Sequence, residues 1–356
     1  MKGRRFLSAM QKFSGGPDRG VSLAEHFAEA AQLMGSRGRQ DQMRARCQMC
    51  GDRLASVRLH WAFLFCVTVC PMVAAEDAGR VVLGDVDTPV AVYNAAFLPS
   101  PDPQQPWFGR SGFLHPVLTP AGKVVTDAFP ADHLHQHALM FAWTSSSYDG
   151  QPVDFWNSRK QEGRVEHVKT VRKGVDGCEM QLQHVVTRNG EQTVVLRETW
   201  QLSRVEHPSM HVFDLVSTQR CVTELPVTIR EYHYGGMCVR GPSRWNTGDV
   251  MLTSEGIGQQ DGNHTRPEWV TLFGDVDGEP CGLAAFSHPG NFRSPQPVRL
   301  HPKMPYFCFA PMVLGDFSLT PGTPYVSRFR FAAFDGPVDL DAIEALRRSF
   351  AETPAK

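Results

Sequence analysis

The segment from Gln181 to Leu202 leaves the chain little choice of fold. Residues 181–187 alternate polar and apolar side chains, residues 193–202 alternate again, and Arg188, Asn189, Gly190 and Glu191 lie between them. Alternation with period 2 places one face of a strand in a core and the other outside. Asn-Gly supplies the positive φ angles of a two-residue hairpin turn. The same alternation returns at residues 211–217, 227–234 and 325–334. One helix is expected in this part of the chain. Asp339 can cap it, and Leu340, Ile343, Leu346 and Phe350 recur at helical spacing. With 26 prolines and 31 glycines to turn the chain, the pattern predicts an all-β protein. Its form is a large two-sheet antiparallel β-sandwich with one C-terminal helix.

Ahead of this body the chain changes character. Residues 1–75 carry 11 Lys/Arg against 5 Asp/Glu, a net of +6, and the whole chain stands at −1, which leaves about −7 for residues 76–356. A mildly acidic body lacks the basic face that a nucleic-acid partner requires. Arg44, Arg46, Arg53 and Arg58 precede an apolar run of about 15 residues that ends Val73, Ala74, Ala75. That is the charged, apolar and small-residue succession of a signal peptide cut after Ala75, and it is short of the ~20 residues of a membrane span. The reading is therefore an N-terminal over-extension at 1–42 with helical character at 22–34, a signal peptide at 43–75, and a single β-sandwich domain at 76–356. The mature domain is expected in the periplasm or secreted, free of the membrane. Cys47 and Cys50 have no matching second half of a zinc site, and the five body cysteines leave at least one thiol free.

Four constellations carry candidate chemistry. Asp132–His137 reads Asp-His-Leu-His-Gln-His. On a strand, His133, His135 and His137 share a face, with the outer two about 13 Å apart. Ligand atoms sit ~2.1 Å from a zinc ion, so one metal can take two of the three. Acid/base work or substrate contact is the preferred role, and a rim of hydrogen-bonded histidines the plain one. Arg230, Glu231, Tyr232, His233 and Tyr234 precede Gly235 and Gly236. On a strand, Glu231 and His233 face one way and can share a proton, while Arg230, Tyr232 and Tyr234 face the other. The glycine pair would let the backbone approach a ligand or form a bulge. Asp154, Phe155, Trp156 and Asn157 would suit a sugar if Trp156 were exposed; a buried Trp beside a turn is the alternative. His288, Pro289, Gly290, Asn291, Phe292 and Arg293 form a polar turn. Arg197 and Glu198, inside the hairpin, are expected to form cross-strand pairs. The proton-handling set is thus His135, His137, Glu231 and His233, and the substrate contacts are His133, Trp156, Asn157, Arg230, Asn291 and Arg293. The ligand is a small carbohydrate, and the chemistry is that of an epimerase, lyase or hydrolase. No cofactor is required, with room left for a divalent metal. A non-catalytic sugar-binding module and a metal-dependent oxidoreductase or hydrolase are the other readings.

These stretches, with Gly112–Asp127, Gly163–His167 and the Arg230-Glu231 pair, occur in an order that resembles one family, from about Val81 to Gly336. It is the secreted bacterial DUF6807 family, whose members are often labelled "methane oxygenase PmoA". The resemblance implies the large sandwich of galactose mutarotases, a supersandwich fold. Mutarotases use a His acid and a Glu base beside a sugar ring, but none of their motifs aligns here and no catalytic position is carried over. Ala138 stands where the resemblance leads one to expect Gly. After Ala75 there is no apolar stretch of ~20 residues, so the membrane-embedded oxygenase that the label suggests is not expected.

Overall fold

The predicted hairpin is present. Strands Gly177–Arg188 and Glu191–Val205 pair antiparallel with Arg188 opposite Glu191, and Asn189 (φ 51°) and Gly190 (φ 84°) make the turn. A computed structural model describes residues 79–354 apart from Thr247; the expected leader at 1–42 and signal peptide at 43–75 lie outside the described residues. The hairpin belongs to an eight-stranded antiparallel sheet. Its spatial order is Met251–Thr253, Trp269–Val276, Glu279–Ser287, Tyr325–Asp335, Met210–Cys221, Glu191–Val205, Gly177–Arg188 and Gly163–Arg172. A seven-stranded sheet runs Arg80–Gly84, Pro89–Asn94, Phe113–Val117, Leu139–Ala142, Gly236–Arg240, Tyr306–Phe309 and Val298–Leu300.

The two sheets share one core. Phe309 of the seven-stranded sheet stacks on Phe329 of the eight-stranded sheet at 5.5 Å, and Tyr93 meets Trp200 at 6.0 Å. Burying side chains of this size is the main favourable term holding the layers. The all-β sandwich is therefore as expected, with one addition: a third, four-stranded sheet of Phe317–Leu319, Val227–Ile229, Ser146–Tyr148 and Gln151–Val153. Its three-residue strands are too short to show a period.

The other face of the eight-stranded sheet is covered by the helix Leu340–Ala351, which Asp339 caps through a 3.0 Å bond from the Ala342 amide. Ile343, Leu346 and Phe350 pack there against Val212, Trp269, Phe286 and Phe334. Arg330 crosses the seam, binding Asp214 at 2.7 and 2.9 Å and the helix at Leu346 O and Ser349 Oγ.

The outer face of the seven-stranded sheet is the one that matters for a site. Directly paired residues project to the same side of a sheet. Cys238 pairs with Met140 and with Cys308, Arg240 with Tyr306, and Arg299 with Cys308. These residues therefore project from the side of the sheet opposite to Phe307 and Phe309. All five body cysteines are free thiols.

Candidate functional site

Asp132–His137 is not a strand. His133 N donates to Pro130 O, Gln136 N to His133 O and Phe129 N to Gln136 O, each at 2.9 Å, and positive φ at Phe129 (56°) and Ala138 (50°) folds the segment into turns. The histidines consequently point in two directions. His137 turns inward, 3 % exposed, with Nε2 at 3.0 Å from Phe108 O and its ring 4.6 Å from Phe129. A carbonyl only accepts, so Nε2 carries the hydrogen. Burial holds His137 well below the ordinary histidine range. It is a packing residue, and its expected proton-handling role is corrected.

His133 and His135 turn outward, with ring centroids 5.4 Å apart. They share a cleft of about 200 Å³ with Gln136, Thr144, Asp154, Trp156, Asn157, Tyr232, Tyr234 and Met304. His301, on the turn after Val298–Leu300, lies 6.2 Å from His133. Its Nδ1 accepts from the amides of Lys303 and Met304 at 3.2 and 3.1 Å, leaving the hydrogen on Nε2. Burial first, and then His133, push His135 down to about 4 from the ordinary 6.5. Burial first, and then Arg299, bring His301 to about 4 as well. Both are neutral bases at pH 7.

The loop is held from below by Arg240, whose side chain is fully buried. Its guanidinium donates to Gln136 Oε1 and Ser243 Oγ at 3.0 Å and to Asp132 Oδ1 and Asn246 Oδ1 at 3.4 Å. Residues on both sides of His133 and His135 are thereby tied to the central strand Gly236–Arg240. The opposite wall is an Asx turn in which Asp154 Oδ1 accepts from the amides of Trp156 and Asn157 at 2.9 and 2.8 Å. Burial raises the Asp154 carboxyl above its ordinary range. Trp156 is 5 % exposed, stacks on Tyr306 at 5.7 Å and donates Nε1 to His135 O at 3.1 Å. It is not the exposed platform that a sugar-stacking role required; it presents only part of its surface to the cleft. Asn157 does line the cleft.

The strand expected at 227–234 stops at Ile229. Asp316 explains the stop, binding Arg230 Nη1 at 2.8 Å and the Glu231 amide at 2.6 Å. Beyond it the chain bends. Tyr232 and Tyr234 join the His133/His135 cleft, whereas Glu231 and His233, with Tyr232, His264 and Val313, line an adjoining hollow of about 400 Å³. The expected quartet of His135, His137, Glu231 and His233 is therefore divided among the core and two neighbouring clefts. Arg230 lines neither; it faces a third hollow with Asp154, Lys160 and Glu162. The glycine pair serves close packing: a Cβ at Gly236 would collide with the Phe309 carbonyl.

Asn291 and Arg293 belong to the scaffold. Asn291 accepts from the Arg328 amide and donates to the Arg328 carbonyl, both at 2.8 Å. Arg293 donates to the carbonyls of Pro311, Gly315 and Asp316 at 2.7 to 3.0 Å and lies over the Phe292 ring. Both lose the substrate-contact role. Glu198 makes the expected cross-strand pair, with His184 of the partner strand, but inside the core rather than on a surface. It points into the core, 1 % exposed, and accepts from Trp200 Nε1 and Ser217 Oγ at 2.6 Å, with His184 Nε2 at 2.8 Å.

Sequence reasoning missed Arg240, Arg299, His264 and His301, each a lone polar residue in an unremarkable stretch. For His301 a signal existed, since Pro302 and Pro305 mark a turn. Among the described residues, no group of three or more His, Cys, Asp or Glu side chains is arranged to hold a metal ion.

No curated protein matches the chain. Among solved structures it is similar to the GH36 alpha-galactosidase AgaA from Geobacillus stearothermophilus, at 11 % identity and a TM-score of 0.35. A substituted form of that enzyme in complex with raffinose is similar at 12 % identity and a TM-score of 0.34. Each match covers 72 % of this chain and 40 % of the enzyme, so the chain spans about two fifths of their length. The sequence model of DUF6807, described as a family of unknown function, matches residues 80–348, and the chain belongs to that family.

Proposed function

We propose that this is a carbohydrate-active protein in which the cleft at His133 and His135 performs acid/base chemistry on a sugar or sugar derivative. One observation carries the reading: a neutral His135 and the Tyr234 phenol flank the same indole. Their rings lie 5.4 and 5.1 Å from Trp156. Tyr234 Oη accepts from Arg299 Nη2 at 3.2 Å, so its own hydrogen is free to be donated into the cleft. A neutral imidazole can take a proton from carbon or water while a phenol supplies one to the developing oxygen charge. Asn157, Gln136 and Thr144 provide the amide and hydroxyl groups that hold sugar hydroxyls. Epimerisation or elimination is the reaction class this arrangement suits best. Glu231 and His233 line the adjoining hollow and belong to binding. The apolar run before Ala75 supports export to the periplasm or beyond, with a mature start near Glu76 that N-terminal sequencing checks.

The test is incubation with a panel of reducing sugars and uronides in D₂O, read by NMR. Deuterium uptake at a carbon beside a carbonyl, lost in His135→Ala while the circular dichroism is unchanged, is the expected result. Saturable binding with no exchange and no product in the native protein would leave a sugar-binding module instead.

A further inference from the structure

The outer face of the seven-stranded sheet carries two arginines in unequal circumstances. Arg240 has Asp132 as a counter-ion and neutral acceptors besides. Arg299 has no carboxylate partner among the described residues. Its bonds go to Leu300 O at 3.1 Å and Tyr234 Oη at 3.2 Å, its guanidinium lies 5.0 Å from the Tyr234 ring centre, and its Nε–H is buried with no acceptor. A cation set into a partly desolvated wall without a counter-ion is held at a cost that a bound anion would offset.

Two histidines come within electrostatic reach of Arg299. The loop carrying His264 pairs with the edge strand of Arg299: His264 N donates to Val298 O at 2.7 Å and Val298 N to Thr265 O at 3.0 Å. His233 arrives from the bend after Ile229, and both rings line the 400 Å³ hollow. Burial, and then Arg299, hold both histidines below their ordinary range, so they would meet an anion as neutral N–H donors beside the fixed cation. The carboxylate among the lining residues is Glu231, which is exposed and makes no ion pair among the described residues. Its neighbour Asp316 is engaged by Arg230.

We propose that Arg299, His233 and His264 form an oxyanion-binding wall, so that the sugar taken by the adjoining cleft carries an acidic group, a carboxylate or a sulfate ester. The wall meets the cleft at Tyr232, which lines both, and at Tyr234, which Arg299 holds. The inference rests on the carbohydrate reading given above, and the experiment separates the two.

The native protein is titrated with galacturonate, glucuronate, galactose 6-sulfate, galactose and inorganic sulfate, with the histidine ring signals followed by NMR. Saturable shifts of His233 and His264 with the acidic sugars, and binding at least roughly tenfold weaker for the neutral sugar, are expected. The uronates and the sulfated sugar distinguish which acid is preferred. Arg299→Met and His264→Asn should each weaken binding of the acidic sugars, and His264→Asn, at a residue that does not line the cleft, should leave that of galactose unchanged. His264→Asn keeps the test open if Arg299→Met does not fold. Equal binding of galactose and galacturonate, unchanged in both variants, would overturn the wall while leaving the carbohydrate reading in place. Binding of inorganic sulfate with no response to any sugar would keep the wall and overturn the carbohydrate reading.

Discussion

Replacing His135 by Gln should flatten the acid limb of the protein's stability curve. In the folded chain His135 titrates near 4, against an ordinary 6.5, chiefly because burial disfavours the charged ring. The unfolded chain therefore binds a proton that the folded chain refuses throughout that window. The sign follows from this. The folded value is depressed, so the contribution of His135 is fully present above 6.5 and is lost as pH falls toward 4. Linkage between those two values gives a loss of about 2 kcal/mol between pH 7 and pH 5. His301 titrates in the same direction, but it is present in both proteins and cancels in the comparison. Urea unfolding of the native and His135→Gln proteins at the two pH values measures the difference. The native protein should lose about 2 kcal/mol more than the variant on acidification, and the His135 ring signal should titrate near 4 by NMR. Equal losses in the two proteins, or a His135 midpoint of 6 or above, would refute both the burial argument and the assignment of His135 as a neutral base.

Other perturbations separate scaffold from site. His137→Ala should cost about 2–4 kcal/mol through a core void and an orphaned Phe108 carbonyl, with ligand affinity per folded molecule unchanged by calorimetry. Arg240→Met should cost about 3 kcal/mol, because Gln136 Oε1 and Asp132 lose their donor; it should also weaken ligand binding, which a purely structural role elsewhere would not. Glu198→Ala should cost about 3–5 kcal/mol by stranding His184, Trp200 and Ser217, without altering the residual binding of the folded fraction in a thermal-shift assay.

The hairpin of Gly177–Arg188 with Glu191–Val205 was legible because its alternation runs long enough to exclude other periods and Asn189-Gly190 names its own turn. The helix was legible for the same reason, from Asp339 and the spacing of Ile343, Leu346 and Phe350. Asp132–His137 misled because alternating histidines look like one face of a strand. Nothing on the other face was apolar enough to require a sheet, and Pro130 just upstream was the available warning. Glu231 and His233 part from Tyr234, but Tyr232 lines both hollows, because the strand expected to separate the two sides ends at Ile229. The roles of Asn291 and Arg299 could not be read locally. Asn291 bonds to the backbone of Arg328, 37 positions away, and Arg299 meets Tyr234 65 positions away. Contacts of that kind are set by sheet register, which short motifs do not encode.

The inner network shows why residue chemistry alone does not locate the site. Around the Glu198 carboxylate, His184 and Ser217 lie within hydrogen-bonding reach, the combination a search for proton-transfer groups would choose first. Yet their exposures are 1 %, 0 % and 0 %, and none of them lines the clefts described above. The Glu198 oxygens are occupied by an indole, a hydroxyl and an imidazole, and although burial alone would raise its pKa, those bonds hold it below the ordinary carboxylate value. A carboxylate so satisfied has no proton to exchange with a substrate; what it does is tie three neighbouring strands together. His133 and His135 are the reverse. Their loop is pinned at both ends by Arg240, but both rings line the cleft; His133 Nδ1 is buried beside Asp132 Oδ2 at 3.6 Å, and His135 is the freer of the two. Rigid support under an unsatisfied base is what acid/base catalysis demands of a scaffold, and the proposed base, His135, has that support in the Arg240 bonds to Asp132 and Gln136.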